Sequence, residues 1–86
     1  MSNVTSLQRF VENIDGKLML RIPLAAGGRE LVECSRGISE IDGDFLNIVI
    51  PGWLAEKLGV SEGSTVVVGN ENGRFNIRRG DGDSAA

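Results

Sequence analysis

Two stretches of the chain share a similar pattern of apolar and polar residues, and both end in Ile-Pro. Residues 14–23 read IDGKLMLRIP, and residues 41–51 read IDGDFLNIVIP, with one residue inserted. Asp-Gly between apolar runs is a strong hairpin signal. In the first stretch Leu18, Leu20 and Ile22 are predicted to share one face, whereas the second is apolar on both faces, as in a strand covered on both sides. The pattern predicts two similar hairpins, and it leaves open whether they arose by duplication or by chance reuse of hairpin residues.

A short helix is predicted directly after the second stretch, over residues 51–58. The ring of Pro51 fixes φ near the helical value. Its missing N–H costs nothing at the start of a helix, because N–H groups in the first turn have no partner within the helix. Leu54 and Leu58 are four residues apart and share one helix face. Gly59 can take the left-handed conformation that ends a helix. A helix this short does not persist alone, so we expect it to dock on a sheet.

The pattern that follows the helix predicts a final hairpin. A glycine turn at residues 61–63 leads into a β-branched run at 65–68 that suits a buried strand. Asn-Gly within residues 70–73 is a hairpin turn signal. Residues 74–78 then alternate, with the phenylalanine and the isoleucine predicted to face inward.

Two earlier segments have their own predictions. Residues 5–9 have apolar spacing that favours a short helix or turn, with Thr5 and Gln8 as a capping box. This segment is expected to feed a strand at 10–14, which the repeat alone would also predict. Residues 30–34 are predicted to form another strand.

The length and composition indicate one small domain. The chain has 86 residues, of which 41% are hydrophobic and 24% charged, and domains of this size often dimerise to bury enough surface. We expect an N-terminal segment at 1–9, a single domain at 10–79 and a disordered tail at 80–86. No apolar run is long enough to span a membrane, and the polar N-terminus predicts no secretory signal. A cytoplasmic protein without membrane association is therefore expected.

Residues suited to catalysis or metal binding are few. The sequence has no histidine and one cysteine, which removes the commonest general base and a typical zinc site. Cys34, predicted to lie in a strand, is expected to be a buried small residue. Glu40, Asp42 and Asp44 form an acidic turn without the spacing of a calcium loop. We expect no enzymatic activity, no catalytic residue, no metal site and no cofactor.

Residues 46–73 resemble the AbrB/MazE-like (SpoVT-AbrB) family of bacterial DNA-binding regulators and antitoxins. The matching landmarks are Ile50-Pro51, Leu54, Leu58-Gly59, Glu62-Gly63 and Asn72-Gly73. Over residues 29–79 the resemblance implies a mostly β fold with one short α-helix, a small swapped-hairpin β-barrel, and a homodimer with intertwined hairpins. The repeat supports an alternative, a single-chain pseudo-twofold barrel of the double-psi type.

The resemblance implies a DNA-binding transcriptional regulator, or an antitoxin with a toxin partner. Basic side chains would then meet phosphates or base edges. The candidate DNA-binding residues are Arg29, Arg36, Arg74, Arg78 and Arg79. In the alternative interpretation these arginines form a solvated face paired with Glu30, Glu33 and Glu71.

The net charge of the chain, and the residues found where the family has basic ones, support a second possible function. Nine basic and twelve acidic residues give a net charge of -3, whereas DNA binders usually present a basic face. Positions where basic residues are expected hold Leu46, Asn47, Ala55 and Glu56. The alternative is a protein-interaction or assembly module that uses the same barrel without DNA. Trp53 is a candidate partner anchor in that case, or it covers the barrel mouth.

Overall fold

Two antiparallel sheets and one helix form the protein, of which a computed structural model describes residues 4–80. Sheet A has the strand order β1-β6-β7 and consists of β1 (Val4–Phe10), β6 (Thr65–Glu71) and β7 (Arg74–Arg79). The central strand β6 pairs with the N-terminal strand along its whole length, from Val4 opposite Glu71 to Phe10 opposite Thr65. The two ends of the described chain therefore meet in one sheet.

The N-terminal segment is a strand, and the predicted short helix or turn at residues 5–9 is wrong. Burial alternates with a period of two, so that Thr5, Leu7 and Arg9 are half-buried whereas Ser6, Gln8 and Phe10 are exposed. Leu7 stands opposite Val68 of β6. A partner distant in sequence thus outweighs the local helical spacing.

Sheet B contains the two predicted Ile-Pro hairpins side by side. Its order is β2-β3-β5-β4, from β2 (Glu12–Ile14), β3 (Lys17–Pro23), β4 (Ser39–Asp42) and β5 (Phe45–Ile50). The inner strands β3 and β5 pair antiparallel, with Leu20 opposite Ile48 near the middle. Because one hairpin lies on each side of this pairing, the two occupy equivalent positions about a local pseudo-twofold axis. The mostly β class with one short helix is confirmed, and both sheets are open.

Residues 24–38, which connect β3 to β4, form helical turns, so the predicted strand at 30–34 is wrong. Two 3₁₀ helices lie here, Leu24–Ala26 and Arg29–Leu31. The backbone N–H of Ser35 donates to the Leu31 carbonyl at 3.1 Å, and its hydroxyl donates to the same oxygen at 2.6 Å. Both residues are buried. Together with Ile38, which packs against the core, they follow a helical spacing.

The core lies between the two sheets. Its buried members are Val11, Leu20, Ile22, Leu31, Leu46, Ile48, Ile50, Ala55, Val60, Val66 and Val68. Alternation along β3 and β5 turns their apolar sides inward as predicted, and β6 contributes its valines from the opposite layer. No helix within residues 4–80 has the length and apolarity needed to cross a membrane.

The helix predicted at residues 51–58 is confirmed as α1 (Gly52–Leu58). Pro51 is its N-cap rather than its first helical residue, because its ψ of 152° is extended. Gly59, with φ 71° and ψ 35°, ends the helix in the left-handed conformation as predicted. The buried Ala55 directs this helix onto the core.

Candidate nucleic-acid interface and partner surface

The outer face of sheet A carries exposed side chains that can hydrogen-bond. In β7, Arg74, Asn76 and Arg78 are exposed, whereas Phe75 and Ile77 pack against the core as predicted. This follows from the strand period, which places alternate residues on opposite faces. One side of the last strand is therefore available to a polar partner.

Strand β1 extends this exposed surface. Ser6 lies opposite Gly69, which in turn lies opposite Asn76 of β7. Gln8 continues the same face, and Phe10 ends it with 67% of its surface exposed. The name sheet A face is used for six side chains: Ser6, Gln8, Phe10, Arg74, Asn76 and Arg78. Sequence reasoning missed the three from β1, because Ser6 and Gln8 lie in the segment predicted as a short helix or turn and Phe10 was assigned only to a predicted strand at 10–14. The order Thr-Ser-Leu-Gln-Arg-Phe contains no alternation that would have indicated the strand.

Two of the five predicted DNA-binding arginines lie on the sheet A face. Arg74 and Arg78 occupy alternating positions of β7 and project to the same side. Arg79 follows directly and projects to the opposite side, where its Nη1 donates to the Gly59 carbonyl at 3.5 Å. Arg79 therefore contacts the end of α1 and lies apart from the other two.

The remaining two arginines, Arg29 and Arg36, lie on the connection 24–38 and flank no strand. Arg36 forms an ion pair with Glu33 at 3.4 Å, with both side chains 78% exposed. The carbonyl of Glu30, beside Arg29, accepts a hydrogen bond from Asn70 Nδ2 at 2.8 Å. Since Asn70 faces the inner side of β6, this segment packs on the side of sheet A away from the sheet A face.

Acidic groups lie close to two of the candidate arginines. Glu71 stands directly opposite Arg74 across the β6–β7 pairing, and Glu33 contacts Arg36. An exposed ion pair such as Arg36–Glu33 contributes less than about 1 kcal/mol to stability. A carboxylate beside an arginine also reduces the local positive potential that attracts DNA.

The outer face of sheet B differs from the sheet A face, since its central side chains are half-buried. Met19 lies opposite Val49, and the guanidinium carbon of Arg21 lies 4.3 Å from the ring centroid of Phe45. Within the described residues, Arg21 Nε and Asn47 Oδ1 are buried and have no hydrogen-bond partner. The sequence predicted this partial burial, because the second Ile-Pro stretch has apolar residues on both faces of its strand.

A cavity of ≈ 430 Å³ opens on this outer face. Its apolar lining comes from Met19, Ile38, Val49 and Pro51, and its polar lining includes Glu40 and Asn47. Trp53 follows Pro51 closely and is 67% exposed. A side chain that closed a barrel mouth would be more buried than this. The hypothesis that Trp53 anchors a partner protein therefore stays a prediction.

Cys34 lies in the helical turns and not in the predicted strand. Its Sγ donates weakly to the Leu31 carbonyl at 3.6 Å. Burial raises the pKa of the Cys34 thiol, so the protonated, unreactive form is favoured at neutral pH. The acidic residues Glu40, Asp42 and Asp44 are all exposed. Among residues 4–80, no cluster of three or more metal-ligating side chains is arranged to hold an ion.

Replacing Asn47 with valine is expected to stabilise the fold by about 1 kcal/mol. The substitution removes a buried oxygen that has no partner, and leaving such a group unsatisfied costs about 1–3 kcal/mol. Valine also favours a strand. Urea unfolding followed by circular dichroism measures the change. A loss of stability would mean that the amide makes a favourable interaction in solution.

Comparisons with protein-family models, with curated proteins and with solved structures gave no match to this chain. Inferences about function therefore rest on the sheet A face and on the cavity of sheet B.

Proposed function

We propose that this protein is a DNA-binding regulator of the AbrB/MazE-like class that contacts DNA through the sheet A face. The observation that carries the proposal is the alignment of Arg74, Asn76 and Arg78 on one exposed side of β7. Arginine neutralises phosphates, and an asparagine amide can both donate to and accept from base edges. Strands can enter the major groove of DNA. A strand with one arginine on either side of an asparagine can therefore contact phosphates and base edges together.

The neighbouring strands supply further suitable groups. Ser6 and Gln8 add hydrogen-bonding side chains in line with β7, and Phe10 adds an exposed ring. Gly69 lies between the outer strands and has no side chain. Gly69 is buried and the Asn76 side chain lies beside it, so the polar groups that can meet DNA on this face come from the outer strands β1 and β7.

The charge of the chain determines the conditions under which binding is expected. The net charge is -3, and on the sheet A face Glu71 offsets part of the charge of Arg74 and Arg78. An electrostatic field is local, so an acidic total does not prevent binding at a basic patch. Weak non-specific binding that is sensitive to salt is the expected behaviour.

Replacing Arg74 and Arg78 together with alanine is expected to weaken binding to every DNA sequence. Each phosphate contact contributes roughly 0.9 to the slope of log K against log salt, so the double substitution should reduce that slope by about 2. Fluorescence anisotropy with labelled duplexes, including DNA upstream of the gene, at about 50 to 200 mM salt measures it. Folding should be nearly unchanged, because both side chains are exposed.

Arg36→Ala is the matched control for that experiment. Arg36 is exposed like the two test residues but lies on the connection 24–38, away from the sheet A face. Its replacement should leave the salt slope unchanged. Absence of binding by the wild-type chain at about 50 mM salt would reject the proposal. An equal loss in Arg36→Ala would reject the assigned surface.

A protein-interaction or assembly module is the second candidate, and the acidic neighbours of Arg74 and Arg36 favour it. In this case a toxin or another protein is the partner, and DNA binding is absent at low salt. The swapped-hairpin barrel implied by the family resemblance stays a prediction, since both sheets are already paired within one chain.

A further inference from the structure

We propose that the protein forms a twofold dimer in which Trp53 of each copy occupies the sheet B cavity of the other. This contact is separate from the sheet A face and does not depend on DNA binding. It also differs from an exchange of hairpins, because each chain keeps its own sheets intact.

Exposure of Trp53 is the first observation behind the proposal. With 67% of its surface in water, it is among the large hydrophobic side chains most exposed in the described chain. Tryptophan is favoured at the centres of protein interfaces because it buries a large area and carries one hydrogen-bond donor. Trp53 projects from α1 rather than from a flexible loop, so it is held in place for insertion.

The cavity offers a suitable environment for an indole ring. Met19, Ile38 and Val49 provide apolar contacts, and a methionine sulfur interacts favourably with aromatic rings. The carboxylate of Glu40 also lines the cavity and is exposed. It can accept a hydrogen bond from the indole N–H, which a buried tryptophan requires.

The positions of Trp53 and the cavity suit a closed twofold pair. In a twofold interface the same patch serves both copies, so the inserting side chain and the cavity must lie next to each other on one chain. Pro51 lines the cavity, and Trp53 is two residues further on, within about 7 Å along the backbone. Each copy therefore gives and receives one tryptophan across a single interface. The assembly ends at two copies and does not grow into a filament.

Charge on α1 supports a second copy as the occupant. Lys57 is exposed and lies four residues after Trp53, on the same side of the helix. When Trp53 enters the cavity, Lys57 approaches the acidic strand β4, where Glu40 and Asp42 are exposed. Glu56, three residues after Trp53, is also exposed on this side of the helix. One copy thus supplies both the apolar anchor and a cation for the acidic rim of the other.

Trp53 is the only tryptophan in the chain, so its fluorescence reports the proposed contact directly. The full chain is diluted from about 1 mM to about 1 µM, and its emission maximum is recorded beside sedimentation equilibrium. We expect the mass to rise from 9.2 kDa to twice that value with concentration. The emission should shift to shorter wavelength over the same concentration range.

Variants test which residues make the contact. Trp53→Ala should remain folded and become monomeric throughout that range. Phe10→Ala is the matched control, since Phe10 has the same 67% exposure but lies on sheet A, and its dimer should be unchanged. Glu40→Lys and Lys57→Glu should each weaken the dimer at least severalfold. Combining the two reversals should restore much of the affinity.

Two results would overturn the proposal. A wild-type chain that stays monomeric, with constant emission at every concentration, shows that no such dimer forms. A dimer of unchanged affinity in Trp53→Ala shows that the copies associate elsewhere, for example by hairpin exchange. Because none of these measurements uses DNA, failure here and failure of the proposed function are distinguishable.

Discussion

Leu20→Ala is expected to leave much of the protein unfolded at 25 °C. Leu20 is fully buried, with 0% of its surface exposed, at the middle of the β3–β5 pairing. Removing a buried leucine side chain costs about 2–5 kcal/mol, because burial is lost and a cavity remains. A domain this small is stable by only about 3–5 kcal/mol. Urea titrations followed by circular dichroism measure the loss.

Ile41→Ala is the matched control for this substitution. Ile41 also lies in sheet B, but it is 54% exposed on the edge strand β4. Its truncation should cost less than about 1 kcal/mol, since surface substitutions have small effects. Equal losses for the two variants would show that the core is not centred on Leu20.

Gly69→Ala is expected to destabilise the fold by about 1–3 kcal/mol, as overpacking typically does. A Cβ at Gly69 would lie 2.5 Å from the backbone carbonyl oxygen of Thr5. This is closer than real contacts allow, so β1 must shift away from β6. Amide hydrogen exchange should then show weaker protection in β1, while urea unfolding gives the change in stability.

Gly52→Ala provides the opposite case on the same chain. Gly52 begins α1 and has open space where a Cβ would be added. Alanine is favoured over glycine in a helix by up to about 1 kcal/mol, so this variant should be neutral or slightly more stable. If Gly69→Ala is as stable as Gly52→Ala or more stable than the wild type, the close approach of β1 to Gly69 is absent in solution.

Features fixed by neighbours in sequence were predictable. The Asp-Gly and Asn-Gly turns, the helix stop at Gly59 and the inward Phe75 and Ile77 each depend on a few adjacent residues. Their conformations follow from local sterics and strand alternation. The mostly β class and the single short helix therefore followed from the sequence.

The errors arose where distant contacts decide the structure. Residues 5–9 have apolar spacing that favours a helix or turn, and only the pairing of β1 with β6, with Leu7 opposite Val68, selects a strand. Residues 30–34 appeared strand-like, yet the buried Ser35 bonds back to Leu31 and stabilises helical turns. Tertiary contacts override weak local preferences in both segments.

Only some features of the candidate surfaces could be predicted from the sequence. Arg74 and Arg78 were placed on one face by alternation alone, which needs no tertiary information. Arg79 lies on the other side of β7, because consecutive strand residues face opposite sides, and its contact with Gly59 joins segments distant in sequence. The cavity beside Trp53 requires β3, β4 and β5 to be assembled, so no local pattern of residues predicts it.

The meeting of the two chain ends in sheet A has a consequence for the order of folding. Hairpins join neighbouring segments and close quickly, whereas β1 must wait for β6, because long-range pairing requires closure of a large loop. During synthesis β1 is made well before its partner β6. Until β6 is made, β1 has no strand partner, and an unpaired strand promotes aggregation with other chains. On one side of this strand Ser6 and Gln8 are polar and only Phe10 is apolar, and we expect the two polar residues to reduce such contacts before any native sheet exists.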